Sequence, residues 1–177
     1  MCTDTNRLRH LVVNAMIMAI GLTLPMAFHA VGLGSKFTPM LLPLLLNGFL
    51  SPLAWAVAVG GLTPLVSAFA TGMPPLYPPV AFIMSAECMV LAGTARILFC
   101  ATRGRLWPSL VAAIICGRAV SLSLSWFTAA YLDLPQRLSV FASLVQGLPG
   151  IALQLSVVPL VVTLIHRRHS LLFEDAS

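Results

Sequence analysis

Long apolar stretches alternate with short polar breaks along the chain, and the spacing of the breaks predicts six helices. The first stretch covers residues 6–27 and is opened by the basic group Arg7, Arg9 and His10. A loop at 28–38, FHAVGLGSKFT, separates it from a short apolar stretch over residues 39–51. Ser51 and Pro52 mark a turn, since proline's fixed φ and missing N–H suit the first position of a following helix. Further helices are expected over residues 53–71, 80–101, 107–130 and 138–165. The third and fourth are separated by GMPPLYPP at 72–79, too dense in proline to continue a regular helix. Residues 170–177 form a short tail expected to fray.

The second stretch is the irregular one. From Pro39 to Leu50 it has 12 residues. That is about 18 Å of helix, short of the roughly 30 Å hydrocarbon core of a bilayer. It also contains Pro43 and Asn47. Either it remains a short segment buried by protein or lining a cavity, as irregular backbone at membrane depth must be, or it extends back into residues 35–38.

Composition turns these helices into membrane spans. Hydrophobic residues make up 59% of the 177 and charged residues only 8%, against roughly 25% charged in soluble domains. The expected fold class is therefore all-α: a polytopic membrane protein with six transmembrane helices in one bundle, a single domain over residues 1–177. The net charge of +5 does not indicate a nucleic-acid partner, because the basic residues flank the apolar stretches instead of forming a face. Arg7, Arg9, Arg103, Arg105, Arg167 and Arg168 fall on one side of a six-span arrangement, Lys36 and Arg137 on the other. The excess of Lys and Arg in cytoplasmic loops then predicts that both termini face the cytoplasm, with residues 28–38, 72–79 and 131–137 outside. Cys2, Cys88, Cys100 and Cys116 form no CxxC, and three of them sit in apolar stretches where cysteine behaves as a small hydrophobe. No apolar signal precedes Cys2 to suggest a lipoprotein, and the first stretch lacks a small-residue cleavage site.

Two charges stand inside these stretches: Glu87 in VAFIMSAECM and Arg118 in LVAAIICGRAVSLSL. A charge at the centre of a spanning helix costs roughly 2.5–3.5 kcal/mol on insertion scales, so it usually faces a cavity or a partner. The pair reads either as a binding site or as an ion pair bracing two helices. Asn47 and Gln146 lie at a comparable depth to Glu87 and Arg118, on the outer side or near the middle. Tyr77, Phe82 and Trp126 offer stacking surface, whereas Asn14 and Gln154 fall deeper towards the cytoplasm and read as structural. His29 is equally a ligand contact or an idle loop histidine. His166 and His169 read as a basic helix end against anionic headgroups, in preference to a metal site. Gly32, Gly34 and Lys36 lack the GxxxxGK[ST] spacing that cradles phosphates, and no GxSxG, HExxH or carboxylate pair occurs. Ala15 and Ala19 make a small-xxx-small pair, and Gly60-Gly61 sits within the third helix; such positions allow close helix approach.

The run PMLLPLLLNGFLSPLAWAVAVGGLTPLVSAFATGMPPLYPP at 39–79, then Glu87, Gly117-Arg118, and Gly147-Leu148-Pro149-Gly150-Ile151 with Gln154 and Pro159, resembles the S components of energy-coupling factor (ECF) vitamin transporters. The likeness covers nearly the whole chain and is most specific from Thr63-Pro64 to Gly72-Met73-Pro74-Pro75. It implies a non-enzymatic capture subunit for a vitamin or related organic micronutrient, in a bacterial cytoplasmic membrane. It further implies a membrane-embedded T component and two separate ATPase subunits as partners, with ATP used there and no cofactor in this chain. Ala15 and Ala19 would dock on the T component. The nickel and cobalt branch carries a histidine at the second position; Cys2 here argues against it. Two other readings stay open: a small membrane enzyme acting on a lipid-linked substrate with Glu87 as general base, and a structural membrane subunit held by a Glu87–Arg118 bridge.

Overall fold

The computed structural model describes residues 2–30, 39–77, 79–131 and 137–174, with side chains described for 8–28, 39–77, 79–131 and 147–165. Among the described residues six helices run in chain order: α1 (Cys2–Ala30), α2 (Leu41–Leu50), α3 (Leu53–Thr71), α4 (Val80–Ala101), α5 (Leu106–Tyr131) and α6 (Arg137–Glu174). No strand occurs among the described residues. Segments of α1, α3, α4, α5 and α6 are long and apolar enough to cross a membrane, within α6 from Gly147 to Ile165. The end helices outrun the expected spans, since the helical backbone continues through 2–5 and 166–174, the latter including part of the tail expected to fray.

α2 is the exception. It has 10 residues, and Pro39-Met40 before it form a turn, so the helix does not continue back through them. Leu41, Pro43, Leu44, Leu45, Asn47, Gly48 and Phe49 are all buried, so neighbouring helices wrap it almost completely. A segment too short to span is thereby shielded from lipid, the condition that broken backbone at this depth must satisfy.

The core runs along both sides of α2. On one side Leu45 and Phe49 pack with Leu91 and Ala95 of α4, Leu110, Ala113 and Ile114 of α5, and Val158 and Val162 of α6. Phe49 meets Phe99 edge to face, centroids 5.4 Å apart, the arrangement that ring quadrupoles favour. On the other side Met40, Leu41 and Leu44 pack with Val59 of α3, Cys88 of α4 and, at the margin, Met18 of α1.

Two glycines draw α2, α3 and α4 together. A Cβ at Gly48 would lie 2.7 Å from the Ala92 carbonyl oxygen, and one at Gly60 would lie 2.9 Å from that of Cys88. The backbones are therefore nearly in contact, which is how helices gain packing where lipid supplies no hydrophobic drive. Ser85 on α4 adds a hydrogen bond to the Gly61 carbonyl of α3 at 2.6 Å.

The proline-dense connection after α3 is tied by side chains. Gly72 ends the helix with φ 72° and donates its N–H to the Ala68 carbonyl, while Ser67 and Thr71 both donate to the Met73 carbonyl. The Met73–Pro74 peptide is cis. At the opposite end of α4, Arg103 and Gly104 adopt positive φ and the Gly104 N–H reaches back to Phe99.

α1 stands at the edge of the bundle. Leu8, Leu11, Val12, Met16 and Ile20 are exposed, and so are Ala15 and Ala19. Its inner face is fastened by polar groups. Asn47 Nδ2 donates to Asn14 Oδ1 at 2.9 Å, and Asn14 Nδ2 donates to Ser51 Oγ at 3.1 Å and to the His10 carbonyl at 2.8 Å.

Candidate functional site

Most hydroxyls inside the helices satisfy themselves. Thr23, Thr63, Ser123, Thr128, Ser156 and Thr163 each donate to the carbonyl four residues back. A charged side chain has no such outlet, and the two that mark the site turn to each other across helices.

Glu87 is eight residues into α4 and buried; Arg118 lies midway along α5. They meet because Gly117 lets the helices close: a Cβ there would lie 3.1 Å from the Leu91 side chain and 3.6 Å from the Glu87 carbonyl. Arg118 Nη1 stands 3.2 Å from Glu87 Oε1, with the arginine side chain 17% exposed and the carboxylate 4%. Ser121, one turn from Arg118, donates a hydrogen bond to the carboxylate. Oε1 itself receives no aligned hydrogen bond, so its contact with Arg118 is an ion pair lacking the directed geometry of a carboxylate–guanidinium fork.

α6 supplies the third wall. A Cβ at Gly147 would sit 3.5 Å from Arg118 Nη2 and 3.7 Å from Cζ, so the guanidinium lies flat against a position without a side chain. The three helices expected to meet at one depth do so here. Gln146, next to this contact, lies outside the residues whose side chains are described.

The other sequence-derived site residues lie elsewhere. Asn47 gives its amide nitrogen to Asn14 and so joins the group between α1 and α2; its Oδ1 accepts no hydrogen bond. Tyr77 is 75% exposed and Trp126 66%, both rings standing on the outer surface of the bundle, as does Phe82. Aromatic side chains so placed suit the interfacial belt of a membrane protein. Asn14 fits its structural reading, whereas Gln154 is fully buried and neither of its amide atoms has a hydrogen-bond partner.

One charge escaped the sequence reading. Arg96, half-buried near the Ala101 end of α4, is a third charged residue inside an apolar run. Its proximity to Arg103 and Arg105 in sequence was the available signal. Among the described residues no group of three or more His, Cys, Asp or Glu side chains is arranged to hold a metal ion.

Among the described residues, apolar helices long enough to cross a membrane enclose a carboxylate–guanidinium pair, the make-up of a polytopic membrane protein with a charged interior. The family described as "ECF transporter, substrate-specific component" matches residues 9–162. The chain belongs to that family. No curated protein and no solved structure matches it. The match begins in α1 and ends in α6, so α2 to α5, the ion pair and both glycine contacts fall within it.

Proposed function

We propose that the chain captures a vitamin or related organic micronutrient at the outer side of a bacterial cytoplasmic membrane. It then delivers the solute with a T component and two ATPase subunits. The observation that carries this reading is the buried Glu87–Arg118 pair within a bundle of the substrate-specific family. Buried charges are retained against a considerable desolvation cost, and Glu87 Oε1 keeps the capacity to accept a hydrogen bond from a solute. Arg118 would take a carboxylate or phosphate-like group and Glu87 an amine or other donor. Gln146 is a candidate hydrogen-bonding group beside them; Asn47, Tyr77 and Trp126 contribute only if the bundle rearranges.

In this reading six segments cross the membrane, α2 with the help of its neighbours, and both termini are cytoplasmic. Arg96 adds to the inner basic residues under that orientation. The site opens beneath residues 28–38 and 72–79. Ala15 and Ala19, exposed on α1, dock on the T component.

The test is mass-spectrometric identification of small molecules co-purifying with the protein, followed by saturable binding of the identified compound. Binding weakened at least tenfold by Arg118→Ala and by Glu87→Ala supports the reading. Wild-type affinity in both variants rejects it. Turnover of a lipid-linked compound by the isolated chain would favour a membrane enzyme instead.

A further inference from the structure

Gln154 is the polar side chain that the ion-pair site leaves unexplained. It is 1% exposed, and neither Nε2 nor Oε1 makes a hydrogen bond. A buried amide with both ends unmet carries the desolvation penalty of two groups, which a leucine or methionine of similar volume would avoid. The neighbouring hydroxyls of α6, Ser156 and Thr163, are each satisfied by their own helix.

Its position connects it to the site. Gly147 and Gln154 are seven residues apart and so share a face of α6, with about 10 Å of rise between them. Gly147 abuts the Arg118 guanidinium. Val158, one turn beyond Gln154, belongs to the closed core with Leu45, Leu91 and Ile114. Along α6 the amide therefore lies between the ion pair and the sealed end of the bundle, against which Ile151 also packs.

The segment between the two levels is built to bend. Pro149 lies inside α6, flanked by Gly147 and Gly150, and contributes no N–H to the helical ladder. Against α5 this stretch presents a glycine to a side chain, without the backbone-to-backbone contact seen at Gly48 and Gly60.

We propose that Gln154 forms the far end of the solute site. It reads an edge carrying a donor beside an acceptor, such as a lactam, ureide or carboxamide, on a solute whose anionic group Arg118 holds. The solute class is an elongated organic acid with roughly 10 Å between its acid and its amide edge, the rise between the two α6 levels. α6 bends at the Gly147–Gly150 segment to admit it. This rests on the capture function proposed above and names the chemistry of what is captured.

The test uses detergent-purified wild type, Gln154→Leu and Arg118→Ala, without solute and with biotin or dethiobiotin, in which an alkyl chain separates a ureide from a carboxylate. These compounds carry both groups; nonanoate carries only the acid. Solute-free Gln154→Leu should unfold at the wild-type temperature or above it, since it removes unmet polar atoms. It should bind the preferred compound at least tenfold more weakly and lose the wild-type preference over nonanoate. A clear fall in its solute-free unfolding temperature overturns the inference, because the amide is then paired. Wild-type binding by Gln154→Leu alongside loss in Arg118→Ala also overturns it, as does a co-purified solute with no amide edge. Absence of any bound or co-purified compound in wild type instead rejects the capture function itself.

Discussion

The guanidinium of Arg118 rests against Gly147, where a Cβ would come within 3.5 Å of Nη2. That spacing is ordinary contact for one methyl group but leaves nothing for a branched side chain. Gly147→Ala should be tolerated, and Gly147→Val should displace the guanidinium from Glu87. Comparing their solute affinities and unfolding temperatures in detergent checks this; equal behaviour would show that the glycine is incidental.

The ion pair makes a prediction independent of any solute. Removing one partner strands the other in a dry interior, at a cost of about 3–5 kcal/mol for buried pairs. Arg118→Met and Glu87→Gln should each lower stability, and the double variant should recover a substantial part of the loss. Additive losses in denaturant or thermal unfolding would mean the two residues are not coupled.

The glycines that join α2, α3 and α4 are expected to be unforgiving. Gly48→Ala and Gly60→Ala place a methyl less than 3.0 Å from a backbone carbonyl, which cannot turn aside. Overpacking of this kind costs about 1–3 kcal/mol. Gly61→Ala meets the flexible thioether of Met89 instead and should cost less than Gly60→Ala. Ranking the three by unfolding temperature is a direct check.

The tie between α1 and α2 should prove modest. Interhelical hydrogen bonds in membranes average about 0.6 kcal/mol and reach about 1.7. Asn14→Leu removes the acceptor for Asn47 and the donor to Ser51, so it should destabilise by about 1–2 kcal/mol, measured by equilibrium unfolding in mixed micelles.

The exposed face of α1 should separate folding from assembly. Ala15→Leu and Ala19→Leu add bulk where side chains already face outward, so the isolated subunit should unfold as wild type does. Co-purification with the T component should be lost. Retained assembly would move the docking surface elsewhere.

The helices were legible because apolar runs, prolines and basic flanks punctuate this chain strongly. Glu87 and Arg118 stood out for the same reason: a charge in an apolar run is conspicuous before any fold is known. Depth along each helix could also be counted, which brought Glu87, Arg118 and Gln146 to one level. Rotation about the helix axis could not. Asn47 lies near the right depth yet gives its amide nitrogen to Asn14, and Tyr77 and Trp126 have the right chemistry on the outward surface. Gln154 was set aside by depth alone, and only the packing around it reveals that its amide is unmet.

The backbone contacts at Gly48 and Gly60 carry a mechanical consequence. Helices touching main chain to main chain cannot slide past one another without collision, so α2, α3 and α4 behave as a single stiff block. Rearrangement is left to the seams made of side chains: the amide tie of α1 and the arginine-lined contact of α6. Under the proposed function the rigid part of the bundle is then a chassis, with α1 turned to the transport machinery on one side of it and the Gly147 end of α6 turned to the solute on the other.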